Sequence, residues 1–439
     1  MKFNLLNITL YKLLVNLFLI VFIILFFYKI HLENFIPITG DELNSILVYS
    51  SNLKTLLLKN FPGNVPFFNF IGYLNSKLSD FSIISFRFVS FIFFILHFWI
   101  IKKLKVNNVI TFIFFLFSVN SYAAIYIGLY NSYIFSSFIF VFIFYLQLKN
   151  INEKYNKIIL ILLFIQIYDH LVNLYLVLPI ITSLFIFSEK KKFIKEFFLF
   201  FLLPVMAFYL ISILLTGVAL LKINQINLDF VINLLFENFQ GIFLNGFNRI
   251  FFYEAYVDAS EFSFRGLIIS LYLFDKLFLI FFIIAIIISI LNIKLKKINI
   301  IFSYIIIFHI ITIILINKDP APRIFFGFFG FYFLFIFYFL DRFIKFKKLF
   351  TSSSFNFIIL FILFLKLSSF NYLKKIKSSE YFNDYNFTEN RTSLNYLKKE
   401  CKLFNNNFSE MQKKNYYFNY IYLCNKKFNL SEFLNYYRS

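Results

Sequence analysis

Residues 13–30 read LLVNLFLIVFIILFFYKI, an apolar run that is long enough to cross the hydrocarbon core of a bilayer. An acidic pair, Asp41-Glu42, follows in the stretch ITGDEL of residues 38–43. Because carboxylates are costly in hydrocarbon, we expect this pair to lie in water or in a polar cavity at the membrane boundary. The run lacks a small-residue cleavage site, so we expect a retained helix and not a removed signal peptide.

The composition is that of an integral membrane protein. Of 439 residues, 60% are hydrophobic and only 15% are charged, and the mean hydropathy is +0.77. A soluble domain could not bury that much apolar surface. The net charge of +21 could indicate a nucleic-acid partner, but the basic residues form short clusters between apolar runs, as the positive-inside rule requires. We therefore expect membrane lipids, and no nucleic acid, as partners.

The apolar runs predict an all-α, polytopic membrane fold with about 11 transmembrane helices. They cover residues 11–30, 82–101, 109–125, 127–148, 157–168, 171–188, 196–216, 273–293, 298–316, 324–340 and 355–370. If the N-terminus is cytoplasmic, the basic loops between these runs all fall on the cytoplasmic side. These loops are 102–105, 149–157, 190–192, 294–297 and 342–348. This agreement predicts a multi-pass protein, which we assign to a bacterial inner membrane.

The same topology divides the chain into a membrane domain, 1–370, and a small extramembrane tail, 371–439. It places the tail and two long loops, 31–81 and 217–272, in the periplasm. Loop 31–81 mixes apolar with polar residues, a pattern that favours helices lying in the membrane interface.

The segment 157–188 is interrupted by Asp169-His170. A single helix here would be too long and would move the lysines after residue 189 to the outer side. We therefore expect two short helices, each tilted or thinly embedded in the bilayer.

Asp41 and Glu42 are the first candidates for chemistry. Two adjacent carboxylates can have different roles in catalysis. One can take a proton from an acceptor hydroxyl, while the other orients a group or helps to hold a cation. The alternative is a solvated interfacial pair that ends a helix.

Four further motifs follow this pair along the chain. They are GNVP at 63–66, SFRFVS at 85–90, YDH at 168–170 and APRI at 321–324. Their order and spacing after Asp41-Glu42 resemble the GT-C superfamily of polytopic glycosyltransferases, which includes protein O-mannosyltransferases and bacterial aminoarabinose transferases. The resemblance is clearest over residues 38–90.

The resemblance implies inverting transfer of a hexose or pentose at the outer leaflet, from a polyprenyl phosphate to a lipid, glycan or protein acceptor. It implies that Asp41 is the base, that Glu42 is an accessory acid or metal partner, and that Arg323 and Arg87 bind the donor phosphate. From the residues themselves we add His170 as a further phosphate-binding candidate, and Asn64, Asp169 and Arg249 as candidates for substrate contact. The alternative for Arg249 is a solvated helix in the membrane interface. A divalent metal ion is an optional cofactor in this scheme, and no metal ligand set is implied.

Elementary chemistry supports a phosphate-binding role for the two arginines, because a guanidinium can bind the oxygens of a departing phosphate and stabilise its growing charge. The alternatives are a snorkelling anchor for either arginine and, for Arg87, a brace for the Asp41 loop. The sequence also departs from the family. Asn64 stands where many relatives carry Lys or His, and residues 122–133 lack the Arg or Asp often found there.

The other histidines have simpler explanations. His97 and His309 lie within apolar runs, so we expect packed, hydrogen-bonded side chains. His170 could instead bridge two helices.

Two other function classes stay open. An O-antigen polymerase or ligase is also polytopic with a long outer loop, but such proteins usually depend on arginines in late loops. A transporter or lipid flippase usually has helices broken by Gly or Pro near the midplane, and this chain has only 10 Gly and 7 Pro.

The topology makes a prediction about Cys401 and Cys424, the two cysteines of the chain. In an oxidising compartment they can form a disulfide, whereas two free thiols are the alternative. If the tail is outside the cytoplasm, impermeant thiol reagents should label both residues in intact cells, at the latest after reduction. Protection before and after reduction would contradict the topology.

Overall fold

The computed structural model describes residues 17, 20–28, 42, 45–46, 50, 53, 65–79, 83–104, 127–150, 153–170, 173–216, 276–291, 297–316 and 326–344. These residues form helices and include no β-strand. The all-α class is thus confirmed for this part of the chain. The predicted runs 109–125 and 355–370, the loop 217–272 and the tail 371–439 lie outside the described residues.

Ten helices with defined bounds are named here in chain order. They are α1 (Pro66–Ser79), α2 (Ile83–Lys103), α3 (Ser132–Lys149), α4 (Asn156–Asp169), α5 (Leu174–Phe187), α6 (Lys190–Phe197), α7 (Leu203–Thr216), α8 (Lys276–Leu291), α9 (Lys297–Ile316) and α10 (Phe329–Ile344). A π-helical turn, Phe198–Leu202, connects α6 and α7.

The described helices indicate a membrane protein. Three apolar stretches are long enough to cross a bilayer, namely Ile84–Ile101, Ser132–Lys149 and Lys190–Ile211. Shorter apolar helices include α5, Leu279–Leu291, Ile298–Ile313 and Phe326–Phe339. The full count of about 11 spans stays a prediction.

The segment 157–188 forms two helices, as expected from its sequence. Helices α4 and α5 have 14 residues each; α4 ends at Asp169, next to His170, and α5 begins at Leu174. At 1.5 Å per residue each is about 21 Å long, which is shorter than the hydrocarbon core of a typical bilayer.

Hydrogen bonds between the ends of different helices define the two ends of the helical bundle. At one end, Asn150 after α3 bonds to Asn156 of α4, and Asn156 bonds to Ser188 after α5. Exposed lysines surround these contacts at Lys149, Lys154, Lys157 and Lys190–Lys192, and we call this the lysine-rich end. At the opposite end, Ser132 of α3 bonds to His170 after α4. The assignment of the lysine-rich end to the cytoplasm follows from the positive-inside rule and stays a prediction.

A proline inside α5 explains the buried His309. Pro179 has no N–H, so the carbonyl of Tyr175, four residues earlier, loses its helical partner. The His309 Nδ1 donates to that carbonyl at 2.6 Å, and the Thr312 hydroxyl donates to the same carbonyl at 2.9 Å. The other ring nitrogen of His309 bonds to the Tyr332 hydroxyl at 2.7 Å. The expectation of a packed, hydrogen-bonded His309 is confirmed, and these bonds fasten α5 to α9 and α10.

His97 is also packed and hydrogen-bonded, as expected. Its Nδ1 donates to the Phe93 carbonyl at 2.7 Å, and its Nε2 bonds to the Ser137 hydroxyl at 3.0 Å. The backbone N–H of Gly330 donates to the same hydroxyl at 2.9 Å. Three helices, α2, α3 and α10, therefore meet at one buried serine.

Gly330 allows this close approach of α10 to α3. A Cβ at Gly330 would collide with the side chains of Val141 and Ser137, whereas a Cβ at Gly327 would meet its nearest neighbour, the Ser136 Cβ, at 3.3 Å. We predict that Gly330→Ala lowers the free energy of unfolding by about 1–3 kcal/mol, because of overpacking. Gly327→Ala is the matched control and should cost less.

The measurement is unfolding of the purified protein in mixed detergent micelles. Equal losses for the two alanine variants would contradict the packing of α10 against α3.

Candidate functional site

A buried ion pair lies at the end of the bundle opposite the lysine-rich end. The Arg87 Nε and Nη2 donate to the two carboxylate oxygens of Glu42 at 2.7 and 2.8 Å. Arg87 is 0% and Glu42 is 1% exposed. The backbone N–H of Tyr130 donates to the same carboxylate at 2.8 Å. Such a forked, charge-assisted contact is among the stronger hydrogen-bonded arrangements in proteins.

A second buried carboxylate caps helix α1. The Asp169 Oδ1 accepts from the Phe67 N–H at 2.7 Å and Oδ2 from the Phe68 N–H at 3.3 Å. The first N–H groups of a helix have no partner inside it, and a negative charge is favourable there. Pro66 opens the helix because its missing N–H is not needed at that position. Asp169 thus fixes the start of α1 from a distance of 102 residues along the chain.

Tyr130 connects the two carboxylates. Its backbone binds Glu42, and its hydroxyl donates to the Phe68 carbonyl at 3.3 Å. Its ring stacks on the Phe68 ring, with centroids 4.5 Å apart. A continuous path therefore runs from Arg87 through Glu42, Tyr130 and Phe68 to Asp169. Because all these groups are buried, the path defines a single arrangement of the surrounding segments.

His170 lies beside this path and is half-buried. Its Nε2 shares a hydrogen bond with the Ser132 hydroxyl at 2.6 Å. Its ring stacks on Tyr133, with centroids 5.4 Å apart. The contact bridges the end of α4 to the start of α3. This is the helix-bridging role expected from the sequence as the alternative for His170. It also leaves an imidazole at the same end of the bundle as Glu42 and Asp169.

Four of the sequence-predicted site residues lie outside the described residues. They are Asp41, Asn64, Arg249 and Arg323. The other four, Glu42, Arg87, Asp169 and His170, come together at one end of the bundle. The catalytic and binding roles of all eight stay predictions.

The charges at this end influence what the site can hold. The Arg87 guanidinium neutralises Glu42, which weakens the attraction of that carboxylate for a divalent cation. Within the described ranges, no group of three His, Cys, Asp or Glu side chains is arranged to hold a metal ion. Asp41 directly precedes Glu42 in the sequence.

The contacts made by Tyr130 and Ser132 have little signal in the sequence. Residues 122–133 were notable for lacking Arg and Asp, but Tyr130 acts through its backbone N–H and a neutral hydroxyl. The one available signal was Asn131, a residue favoured at helix N-caps. Its side chain accepts from the Tyr133 N–H at 2.8 Å and so fixes the start of α3.

Comparison with protein-family models, with curated proteins and with solved structures finds no match to this chain.

The buried ion pair makes a prediction about stability. Arg87→Met should lower the free energy of unfolding by about 3 kcal/mol or more, because it leaves the Glu42 carboxylate buried without its cation. The double variant Glu42→Gln/Arg87→Met should lose less than Arg87→Met alone, because neither charge is then buried.

The matched control is a pair at the bundle surface. Lys192 and Glu153 are 3.6 Å apart with side chains 45% and 24% exposed. Lys192→Gln should cost about 1 kcal/mol or less. Unfolding in mixed micelles measures all variants, and an Arg87→Met loss no greater than that of Lys192→Gln would contradict the prediction.

Proposed function

We propose that this protein is a membrane glycosyltransferase that uses a sugar carried on a polyprenyl phosphate. One observation carries the proposal. Residues 42, 66–68, 87 and 169–170, which belong to four separated segments, converge on the end of the helical bundle opposite the lysine-rich end. A donor with a lipid tail and a charged phosphate is suited to such a boundary between apolar helices and a polar end.

In this proposal Glu42 and Arg87 are positioning residues for Asp41. Both oxygens of Glu42 are bound by Arg87, and Tyr130 adds a backbone donor. The residue that follows Asp41 in the sequence is therefore anchored through its side chain by two other residues. A base must lie within hydrogen-bond reach of the proton it takes, and a fixed backbone favours that geometry.

Asp169 has a similar part in the proposal. Its carboxylate holds the first turn of α1, and this turn follows directly after Asn64 and Val65. In this proposal Asp169 thus fixes the point at which the chain leaves the segment that carries Asn64. We propose that Asn64 contacts substrate and that Asp169 acts on substrate through this turn.

The proposed reaction is a single inverting displacement. Asp41 takes the proton of the acceptor hydroxyl, whose oxygen forms a bond to the anomeric carbon of the sugar. The bond from that carbon to the prenyl-phosphate oxygen breaks, and its electron pair leaves with the phosphate. Cationic or hydrogen-bonding groups must stabilise this charge. We assign this part to His170 and Arg323.

Chain connectivity is compatible with the part assigned to Arg323. Gly327 lies against Ser136 and Asn173, at the same end as the His170–Ser132 contact. Arg323 precedes Phe326 by three residues in the sequence. Arg249 is proposed as an acceptor-site residue on its sequence alone.

The test is Asp41→Asn in membranes supplied with a labelled polyprenyl-phosphate sugar. Sugar transfer and release of polyprenyl phosphate should fall about 100-fold or more, because general-base contributions have that size. Protein abundance should not change. The matched control is Asp341→Asn, the same change in α10 near the lysine-rich end, which should keep full activity. Unchanged transfer in Asp41→Asn, at normal abundance, would disprove the assignment of the base.

A further inference from the structure

A cavity of about 650 Å³ lies at the lysine-rich end, away from the proposed transfer site. The ends of α3, α5 and α10 and the first turns of α6 and α9 form its walls. Its polar lining includes Gln147, Glu153, Ser188, Glu189 and Lys192. The proposed glycosyl transfer makes no use of any of these side chains.

Gln147 is the residue that points to a ligand. It is 5% exposed, and neither its amide nitrogen nor its amide oxygen has a hydrogen-bond partner within the described part of the chain. A buried amide without partners is costly, and native proteins contain few of them. A ligand in the cavity that both donates and accepts hydrogen bonds would satisfy both groups.

Glu153 is held at the cavity by an unusual backbone conformation. Its φ is 58°, in the left-handed region that non-glycine residues rarely adopt. The conformation lets its Oε1 accept from the Glu189 N–H at 2.7 Å, while its Oε2 lies 3.6 Å from the Lys192 ammonium. Strain of this kind is concentrated at binding and catalytic sites. It places the Glu153 carboxylate beside the Lys192 ammonium, and Glu189 also lines the cavity.

The lining of the cavity also includes apolar side chains, which are neighbours in the sequence of exposed apolar residues of α5. Leu184 and Phe187 of α5 line the cavity together with Ile298 and Ile301 of α9. Phe185 and Ile186, which lie between Leu184 and Phe187 in α5, are 41% and 50% exposed. A molecule in the cavity therefore meets polar groups on one side and membrane-facing apolar surface on the other, which fits a lipid better than a soluble metabolite.

We propose that this cavity binds the headgroup of a phospholipid with a primary ammonium, the chemistry of phosphatidylethanolamine. The ammonium donates to Glu153, Glu189 and the Gln147 carbonyl, and the phosphate accepts from Lys192 and the Gln147 amide. The Ser188 hydroxyl accepts from Asn156 at 3.1 Å, which leaves its own proton for the phosphate. The acyl chains leave over Phe187 toward the exposed face of α5.

The charges of the lining select this headgroup over its common alternatives. Phosphatidylglycerol has no cation for the two carboxylates and would bring a third negative charge. Phosphatidylcholine has a cation, but its methylated nitrogen cannot donate hydrogen bonds to Glu153, Glu189 or Gln147. Selectivity of this kind comes from unpaired polar groups in the complex with the wrong ligand.

The test is lipid binding to the delipidated full-length protein in detergent, measured by native mass spectrometry. The probes are phosphatidylethanolamine, phosphatidylcholine and phosphatidylglycerol with identical acyl chains. Phosphatidylethanolamine should bind about 10-fold more tightly than either alternative, because a hydrogen bond to a charged group has about that effect. Equal or tighter binding of phosphatidylglycerol or phosphatidylcholine would overturn the proposal, and so would soluble phosphoethanolamine that competes as strongly as the lipid.

Two variants identify the site. Gln147→Met keeps the size of the side chain and removes its hydrogen bonds, and Lys192→Gln removes the cation. Each should weaken phosphatidylethanolamine binding about 10-fold. If Gln147 were only an unsatisfied core residue, Gln147→Met would leave lipid binding unchanged, and that result would overturn the proposal.

The matched control is Lys191→Gln, a change of the neighbouring exposed lysine that does not line the cavity. It should bind as the unmodified protein does. An equal loss for Lys191→Gln and Lys192→Gln would show a general effect of surface charge and would overturn the site. Because lipid binding is measured without any sugar donor, this result is independent of the glycosyltransferase proposal.

Discussion

Two opposite charges inside an apolar helical bundle have to be paired with each other. Arg87 lies in α2, the second apolar run of the chain, and is fully buried. A lone guanidinium there would cost several kcal/mol, so its position requires a carboxylate in contact. Glu42 supplies that carboxylate, and Tyr130 and Phe68 extend the arrangement to Asp169. The ion pair thus determines how the segment before α1, the start of α2 and the start of α3 lie together.

The same requirement explains polar contacts deeper in the bundle. Pro179 leaves the Tyr175 carbonyl without a helical donor, and His309 and Thr312 donate to it from another helix. The Ser137 hydroxyl is shared between His97 and the Gly330 N–H. In hydrocarbon, association between helices comes from close packing and from such bonds, because there is no water to exclude. Gln147 differs from these residues, since its amide has no partner among the described residues.

Much of the described fold could be predicted from the sequence. The apolar runs 82–101 and 298–316 correspond to α2 and α9 within three residues at each end, because an apolar run is nearly sufficient to specify a membrane helix. The start of α6 at Lys190 was missed, because three lysines in a row indicated a loop. The lysines are exposed, and the apolar residues that follow them continue the helix.

The candidate site was harder to predict than the helices. Glu42, Arg87, Asp169 and His170 were identifiable because charged and imidazole groups are rare in such a chain. Their partners were not identifiable. The Glu42–Arg87 contact joins residues 45 positions apart, and the Asp169 cap joins residues 102 apart. Backbone donors such as the Tyr130 N–H carry no sequence signal, because every residue except proline has one.

The order of these contacts along the chain has a consequence for biosynthesis. Glu42 precedes Arg87 by 45 residues and Tyr130 by 88. Before residue 130 has been synthesised, the Glu42 carboxylate is already available to the Arg87 guanidinium. The Tyr130 N–H, which also binds this carboxylate, is not yet present. The Arg87 guanidinium can therefore pair with Glu42 as soon as α2 has been synthesised, whereas the set of donors around this carboxylate is complete only after residue 130 has been added to the chain.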